Sequence, residues 1–331
     1  MKFFNFNKKR ISCKWLEHGI IFDHANILRV CCAQSHEGEG RYQLKDNYLG
    51  EPLDWEEIFK EKNIQREVQK SGNTFKNCKG CILLEEGNWD QENYINRLLL
   101  THWVHCNCEC IYCPAIKDEE LLSVNRHYNI VPAIKDMIEK GVLKKDSYIS
   151  IAGGESTIYP EFEELMHTLI DYGIKDICVS TSGIKYSEAI EKGISLGSVS
   201  VLVSLDSGTK ETHNKIKQVD KFETVIENLN KYSSNKVLKR QVSTKYILIP
   251  GINDNEDEIN SWLSLNKQLD IPTISMDIEI AWFKQNHENM PEHIINLLKF
   301  SKKQAKKMNL DLTFFDRASM VYKKNKQHKW L

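Results

Sequence analysis

The chain has 331 residues, of which 41% are hydrophobic and 27% are charged, and its net charge is −1 at pH 7. This composition is ordinary for a globular protein, and the small net charge disfavours a general attraction to nucleic acid or to an anionic membrane. No apolar run approaches the roughly 20 residues that span a bilayer, and the N-terminus lacks the hydrophobic segment of a signal peptide, so we expect a cytoplasmic protein with no membrane partner.

The first 90 residues contain little regular apolar patterning. Residues 19–32, GIIFDHANILRVCC, predict a hairpin in which Asn26 takes the left-handed turn conformation. A helix is predicted at residues 54–70. We interpret residues 1–90 as a small cysteine-rich module stabilised by a metal centre, and residues 91–331 as the main domain.

From about residue 94 onward, strand-like and helix-like segments alternate. Strands are predicted at residues 94–104, 147–152, 176–180, 198–205, 241–249 and 273–282, with a short last strand at DLTFF. Helices, with apolar residues at three- and four-residue steps, are predicted at residues 161–173, 221–234, 257–270 and 291–309, the last with Pro291 in its first turn. This alternation predicts parallel strands, in either an open doubly wound sheet or a curved partial barrel, with chemistry at the carboxyl ends of the strands.

The cysteines are unevenly distributed, since nine of the ten precede residue 114 and only Cys178 follows. In a reducing cytosol, clustered cysteines indicate metal binding or catalysis rather than disulfides. Cys178 lies in the apolar segment DICVSTS, which favours a buried hydrophobic role.

The segment THWVHCNCECIYCP follows the first strand of the alternating region and contains Cys106, Cys110 and Cys113 in a C-x3-C-x2-C pattern. Three thiolates leave one iron of a 4Fe–4S cluster without a protein ligand, open to a small molecule. Zinc is the alternative, because C-x2-C pairs are frequent zinc ligands. Cys108 has the wrong spacing for the pattern and is an extra thiol or a substitute ligand.

The order of the motifs resembles the radical S-adenosylmethionine (SAM) superfamily over about residues 94–285. The three-cysteine loop follows the first strand, IAGGEST ends the second, VSTSGIK the third and VSLDSGTKETHNKIK the fourth, and YILIPGINDNEDE continues the fifth. The resemblance implies a partial (β/α)6 TIM-type barrel with parallel strands. It also implies a 4Fe–4S cluster and SAM, cleavage of SAM to methionine and a 5′-deoxyadenosyl radical, and removal of a hydrogen atom from a C–H bond.

The resemblance also assigns site residues. The cluster ligands would be Cys106, Cys110 and Cys113. The SAM-contact candidates are Tyr112, Gly153, Gly154, Glu155, Ser182, Ser204, Asp206, Lys245, Ile249 and Gly251. Asp206 either reaches the ribose or caps the next turn, and Lys245 either pairs with the SAM carboxylate or points outward. Cys108 and His105 are the candidates for a catalytic residue, although a histidine at such a place more often packs locally.

A second group of cysteines precedes the barrel. Its proposed ligands are Cys13, Cys31, Cys78 and Cys81, with Cys32 as a spare or replacement. Their spacing resembles the auxiliary-cluster domains known as SPASM or twitch, with Asn26 in place of glycine, but those domains follow the barrel and have seven cysteines. The resemblance therefore implies at most one auxiliary 4Fe–4S cluster, and a structural zinc is the alternative.

The substrate is not readable from these motifs. Auxiliary-cluster relatives commonly act on peptides or proteins, so oxidation, crosslinking or epimerisation of a peptide or protein is the leading expectation, and a sugar or nucleotide-sugar is the alternative. The family implies an electron donor such as flavodoxin or ferredoxin, and we do not favour a nucleic-acid partner. A non-catalytic iron–sulfur or zinc protein is the competing class, and it predicts metal without SAM cleavage.

Overall fold

The computed structural model describes residues 9–24, 27–29, 41–43, 50–71, 78, 81, 83–89, 92–113 and 128–327. The strands are β1 (Arg10–Ser12), β2 (Gly19–Asp23), β3 (Ile27–Arg29), β4 (Arg41–Gln43), β5 (Glu85–Gly87), β6 (Ile95–Thr101), β7 (Leu143–Ile151), β8 (Asp176–Thr181), β9 (Val199–Ser204), β10 (Val242–Leu248), β11 (Thr273–Ile278) and β12 (Asp311–Phe314). The helices are α1 (Lys14–His18), α2 (Trp55–Lys70), α3 (Val131–Glu139), α4 (Phe162–Tyr172), α5 (Glu188–Ser195), α6 (Lys210–Lys217), α7 (Phe222–Asn235), α8 (Glu256–Gln268), α9 (Ile280–Asn286), α10 (Glu292–Lys307) and α11 (Asp316–Gln327). Within these ranges, no helix has the length and apolar character needed to cross a membrane.

The chain forms two compact units that interleave in sequence. The first comprises Met1–Val104, Val124–Gly153 and Glu164–Ile177, and the second comprises His105–Ser123, Gly154–Glu163 and Cys178–Leu331. The division into residues 1–90 and 91–331 stays a prediction.

The sheet of the first unit has the strand order β7-β6-β2-β3-β4. The predicted hairpin is present, because β2 and β3 pair antiparallel, while Asn26 lies outside the described residues. The sequence analysis missed that β2 also pairs parallel with β6, from Gly19 opposite Arg97 to Asp23 opposite Thr101. All five residues of β2 are buried, and a short run without alternation does not reveal its pairing by periodicity alone.

A buried carboxylate ends β2. Asp23 lies 2.7 Å from the His24 Nδ1 atom and 2.8 Å from the Arg29 Nε atom. Burial opposes ionisation, but these two neighbours outweigh it and lower the pKa of Asp23 to about 2. Asp23 is therefore charged at neutral pH.

Helix α2 supports α1 through polar side chains. The buried Lys62 Nζ atom donates to the Trp15 carbonyl at 3.0 Å and to the Gly19 carbonyl at 2.6 Å. Arg66 donates to the Glu17 carbonyl. These bonds satisfy carbonyls at the end of a short helix, so α2 holds α1 in place.

The sheet of the second unit has the strand order β12-β11-β10-β9-β8. Strands β9 and β10, β10 and β11, and β11 and β12 pair parallel. The predicted α/β fold with parallel strands is therefore confirmed. Strands β8, β9 and β10 end immediately before the segments that contain the predicted SAM contacts.

Several predicted boundaries differ from the structure, and two of them involve identifiable single residues. The strand predicted to run to Trp282 stops earlier, and α9 begins after Glu279, whose carboxylate accepts from the Ala281 and Trp282 amides at 2.8 and 2.6 Å. This side-chain cap starts a helix where the apolar pattern favoured a longer strand. Pro291 is the residue before α10 rather than a member of its first turn.

Candidate active site

The predicted cluster ligands lie on one loop of the second unit. Residues 105–113 contain neither helix nor strand. Cys106 is exposed, whereas Cys110 and Cys113 are half-buried. The Cys113 amide donates to the Cys110 carbonyl at 2.9 Å, which closes a tight turn between these two cysteines. We call residues 105–113 the thiol loop.

Cys108 is buried inside the thiol loop. Its amide donates to the Cys106 Sγ atom at 3.4 Å. Hydrogen bonding from the Cys108 thiol lowers the pKa of Cys106, and it lowers the pKa of Cys110 to about 7, where the charge of Lys217 adds to the effect. The pKa of Cys108 itself is raised, since its neutral thiol hydrogen-bonds to both neighbours. The Cys106 and Cys110 thiols therefore ionise more readily than that of Cys108, which is the protonated donor between them.

The donor chemistry of the thiol loop fits an iron–sulfur cluster. Three cysteines ligate one iron each and leave a fourth iron without a protein ligand. Across the ranges that the structure describes, no three His, Cys, Asp or Glu side chains form a group able to hold a single metal ion. Assignment of the three thiols to a cluster stays a prediction.

The last turn of α6 anchors the thiol loop. The Glu109 amide donates to the Lys217 carbonyl, and the Ile111 amide donates to the Ile216 carbonyl, both at 3.1 Å. Carbonyls at a helix C-terminus lack partners within the helix, so the loop satisfies them. Ile111 and Tyr112 also pack against a cluster of Ile216, Ile247 and Ile249.

Tyr112 contacts the buried ion pair of Asp206 and Lys217. Its hydroxyl donates to the Asp206 Oδ2 atom at 2.6 Å, and the same oxygen accepts from the Lys217 Nζ atom at 2.5 Å. Burial and the nearby carboxylate raise the pKa of Tyr112. Burial opposes the charge of Lys217, but the Asp206 carboxylate outweighs it and holds the pKa of Lys217 well above its usual value. The phenol is therefore neutral beside a charged pair.

The structure gives the protein partners of the Asp206 carboxylate. Its Oδ1 atom accepts from the Ile247 amide at 2.7 Å, so both carboxylate oxygens have protein donors, and contact with the ribose stays a prediction. The N-cap of α6 is Thr209, whose side chain accepts from the Thr212 amide.

The Glu155 carboxylate also has several protein partners. Its carboxylate is 1% exposed and accepts from the hydroxyls of Thr157 and Thr181, each at 2.6 Å, and from the Ser182 amide at 2.5 Å. Contact of Glu155, Gly153 and Gly154 with the methionyl end of SAM stays a prediction. The Glu155 amide donates to the His105 carbonyl at 2.7 Å, which connects this segment to the thiol loop.

Contacts within the first unit explain why the first residue of the glycine pair in IAGGEST, Gly153, cannot be larger than glycine. Gly153 has a φ of +116°, and a Cβ atom there would lie 2.5 Å from the Trp103 carbonyl oxygen. Both facts exclude a larger residue. The glycine therefore permits close approach of two backbone segments.

The other predicted contacts are distributed over the strand ends. Ser182 donates to the Asn107 Oδ1 atom at 3.2 Å, next to Cys108. Ser204 and Lys245 are half-buried and lie opposite each other in the β9–β10 register. Gly251 is exposed, with a φ of +83°. Its contact with adenine stays a prediction.

Sequence reasoning missed the residues that hold the site together. They are Asn107, Thr157, Thr181 and Lys217. For Lys217 a signal existed, since it follows the buried His213 by one helical step of four residues. The hydroxyl and amide groups had no comparable pattern.

The N-terminal cysteines are partly described. Cys13 is buried at the start of α1, and its Sγ atom accepts from the Leu16 amide at 3.3 Å. Cys78 and Cys81 share a turn in which the Cys81 amide donates to the Cys78 carbonyl at 3.0 Å. Antiparallel pairing of β1 with β5 places Ser12 opposite Glu85. A cavity of about 300 Å³ here is lined by Cys13, Lys14, Trp15, Leu83, Leu84, Glu85 and Arg97.

Cys31 and Cys32 lie outside the described residues. The auxiliary cluster therefore stays a prediction, and so does the choice between these two cysteines.

Comparison with known proteins identifies the domain. The family model of the radical SAM superfamily matches residues 100–263. Two similar curated proteins are GTP 3′,8-cyclases: one of Chlorobaculum tepidum, 26% identical over 53% of this chain and 51% of the relative, and one of Clostridium botulinum, 28% identical over 54% of each. The chain thus spans about half the length of these relatives.

Solved structures show the same fold. SuiB of Streptococcus suis bound to the precursor peptide SuiA has a TM-score of 0.55 and 11% identity, over 96% of this chain and 75% of SuiB. SuiB bound to S-adenosylmethionine has a TM-score of 0.51 and 11% identity, over 81% of this chain and 58% of that one. The α/β partial-barrel class is therefore confirmed. The chain contains a domain of the radical SAM superfamily, a family of enzymes, over residues 100–263.

Proposed function

We propose that the protein is a radical SAM enzyme that cleaves SAM reductively and removes a hydrogen atom from a C–H bond of its substrate. The observation that carries the proposal is the thiol loop, which lies in the matched family region together with the ends of β8, β9 and β10. With both bound, the cluster and SAM supply the 5′-deoxyadenosyl radical. A flavodoxin or ferredoxin would deliver the electron.

The protein's own residues hold and orient these groups. Cys106, Cys110 and Cys113 would ligate the cluster, and the Cys108 amide would donate to a ligand sulfur as it does to Cys106 in the free loop. Hydrogen bonds to such sulfurs tune the reduction potential of a cluster. The Glu155 carboxylate would also hold the end of β8, through Thr181 and Ser182.

Other residues remain candidates for SAM contacts. They are Glu155 and Asp206, the backbone of Gly153 and Gly154, and the side chains of Tyr112, Ser182, Ser204, Lys245 and Ile249, with Gly251 at the adenine. His105 and Cys108 remain the candidates for a catalytic residue. Both residues belong to the thiol loop, which supports testing each of them by substitution.

Anaerobic reconstitution followed by dithionite and SAM tests the activity. We expect 5′-deoxyadenosine from the wild type and none from Cys110→Ala. Cys178→Ala is the matched control, because Cys178 is a half-buried residue of β8 with no assigned ligand role, and it should retain activity. A reconstituted wild type with an intact cluster and no product would favour the non-catalytic iron–sulfur protein instead.

We further propose a peptide or protein substrate. The support is the fold likeness to SuiB, which extends over 96% of this chain and whose structure includes a precursor peptide. Peptides encoded beside the gene should increase 5′-deoxyadenosine formation and change in mass. Unchanged peptides and an unstimulated rate would contradict this choice.

A nucleotide is the second candidate substrate, in line with the nucleotide-sugar alternative. It is favoured by the similarity to the GTP 3′,8-cyclases, at 26–28% identity over about half the chain. The same assay with GTP and with nucleotide-sugars distinguishes the two classes. Conversion of either compound, without conversion of peptides, would replace the peptide proposal.

The N-terminal cysteines are proposed to bind a second 4Fe–4S cluster, with zinc as the alternative. Support comes from the turn that joins Cys78 to Cys81 and from the β1–β5 pairing beside Cys13. Cys78→Ala should lower the iron content by about four atoms per chain while SAM cleavage persists. Unchanged iron with a loss of zinc would identify a zinc site.

A further inference from the structure

A buried ion pair lies beside the thiol loop in the second unit. Lys217 is 2% exposed and Asp206 is 0% exposed, and the Nζ and Oδ2 atoms lie 2.5 Å apart. Replacing a buried ion pair with apolar side chains is often neutral or even stabilising. A contribution to stability therefore does not by itself explain the ion pair. A third residue in contact with the pair indicates another role.

The third partner is Tyr112 of the thiol loop. Its hydroxyl lies 2.6 Å from Asp206 Oδ2 and 3.2 Å from Lys217 Nζ. The ammonium also lies 5.5 Å from the centre of the tyrosine ring, within cation–π range. Tyr112 directly precedes Cys113 and follows Cys110 by two residues, so this contact acts within the turn that bears two predicted ligands.

Further hydrogen bonds hold Asp206 in place. Besides the two donors at Oδ2, its Oδ1 atom accepts from the Ile247 amide at 2.7 Å, and its carbonyl accepts from the Asn253 side chain at 2.9 Å. Its φ is +60°, a conformation that a non-glycine residue keeps where the surroundings hold it. The carboxylate is therefore immobilised on β10, whereas the thiol loop has no regular structure of its own.

We propose that Asp206 and Lys217 are positioning residues, which hold Tyr112 and thereby fix the turn from Cys110 to Cys113 in the geometry that the cluster requires. The inference rests on the proposed function, because it assumes that these cysteines ligate the cluster. We call Tyr112, Asp206 and Lys217 the loop latch.

The loop latch defines the orientation of the thiol loop, which apolar packing alone does not. Ile111 and the Tyr112 ring pack on apolar side chains, and hydrophobic contact does not define orientation. The hydroxyl and carboxylate define it, because hydrogen bonds weaken steeply with angle. Without them the loop stays attached but can shift by about 1 Å, which is enough to impair a preorganised site.

Two variants separate positioning from stability. Tyr112→Phe keeps the ring and removes the hydroxyl. Asp206→Asn combined with Lys217→Met removes both charges together, so that neither is left buried and unpaired. Lys231→Met is the matched control, because Lys231 forms an exposed ion pair with Glu227 on α7.

Hydrogen exchange of the Glu109 and Ile111 amides reports the loop directly, before any cluster is added. We expect faster exchange in both latch variants and wild-type exchange in Lys231→Met. After reconstitution we expect 5′-deoxyadenosine formation to fall about 10- to 100-fold, as for other groups that orient metal ligands. The change that SAM causes in the electron paramagnetic resonance spectrum of the reduced cluster should also differ from that of the wild type.

Wild-type exchange, spectrum and rate in Tyr112→Phe and in the double variant would overturn the proposal. Tyr112→Phe decides the matter if the double variant does not fold. If the wild type forms no 5′-deoxyadenosine, the proposed function fails, whereas the amide exchange still shows whether the latch holds the loop.

Discussion

Replacement of Glu155 with Gln tests how the strand ends of the site are held. One carboxylate oxygen accepts from Thr157 and Thr181, and the other accepts from the Ser182 amide at 2.5 Å. The glutamine oxygen can keep the threonine contacts. Its amino group must then face the Ser182 N–H, so two donors meet and the backbone donor loses a charged acceptor.

The expected cost follows from that single lost contact. A hydrogen bond to a charged group contributes about 1.5–3 kcal/mol, and an unsatisfied buried donor costs about 1–3 kcal/mol. These ranges describe overlapping parts of the same loss, so we expect about 3 kcal/mol of destabilisation. For a domain of roughly 150–250 residues, this lowers the unfolding midpoint by roughly 6–12 °C.

Thermal unfolding of the cluster-free protein measures this loss without depending on activity. Glu164→Gln is the matched control, because Glu164 pairs with Lys135 at the surface, where both side chains are about half exposed. Such pairs contribute about 0–1 kcal/mol. A Glu155→Gln variant that unfolds within about 1 °C of this control would show that the carboxylate does not hold Ser182 in place, and the reasoning would be refuted.

Three further predictions concern the first unit. The pKa of Asp23 is about 2, against an ordinary value of 3.8, so its ionised form stabilises the fold above about pH 4 and this stabilisation is lost as the pH falls toward 2. Asp23→Asn should therefore reduce the fall in the free energy of unfolding between pH 4 and pH 2 by about 2 kcal/mol. An unchanged dependence of that free energy on pH would contradict this prediction. Lys62→Met removes a buried donor from the Gly19 and Trp15 carbonyls, although the Trp15 carbonyl keeps the Gly19 amide as a donor. We expect about 1–3 kcal/mol of destabilisation in denaturant unfolding, whereas the exposed Lys60→Met on the same helix should change little. Gly153→Ala places a Cβ atom 2.5 Å from a carbonyl oxygen, while the Cβ atom of Gly141→Ala, also at positive φ, meets nothing within 4 Å. Calorimetry should therefore show a clearly larger loss of unfolding free energy for Gly153→Ala than the roughly 1 kcal/mol expected of Gly141→Ala. Equal losses would argue against the close approach of the two backbone segments.

Much of the fold could be predicted because its determinants are local. The alternation of segments after residue 94 and the hydrophobic steps within helices such as α4 and α7 are readable in short windows. Strand β2 was not recognised as a parallel strand, since five consecutive buried residues carry no alternation. The extension of β11 into α9 was also misjudged, because a single capping carboxylate at Glu279 outweighed the apolar pattern.

The sequence by itself determined the chemistry available at the site, namely three thiols at fixed spacing after a strand, followed by polar segments after successive strands. Spacing and residue type are local properties, and they suffice to indicate a cluster ligand set. The tertiary structure alone decided which side chains meet. Tyr112 and Asp206 are 94 residues apart in the chain and share a hydrogen bond, and the Glu155 carboxylate binds Thr181 across 26 residues. Such partners are selected by parallel crossovers that bring strand ends together, so the protein contacts of a carboxylate in a local motif cannot be read from that motif.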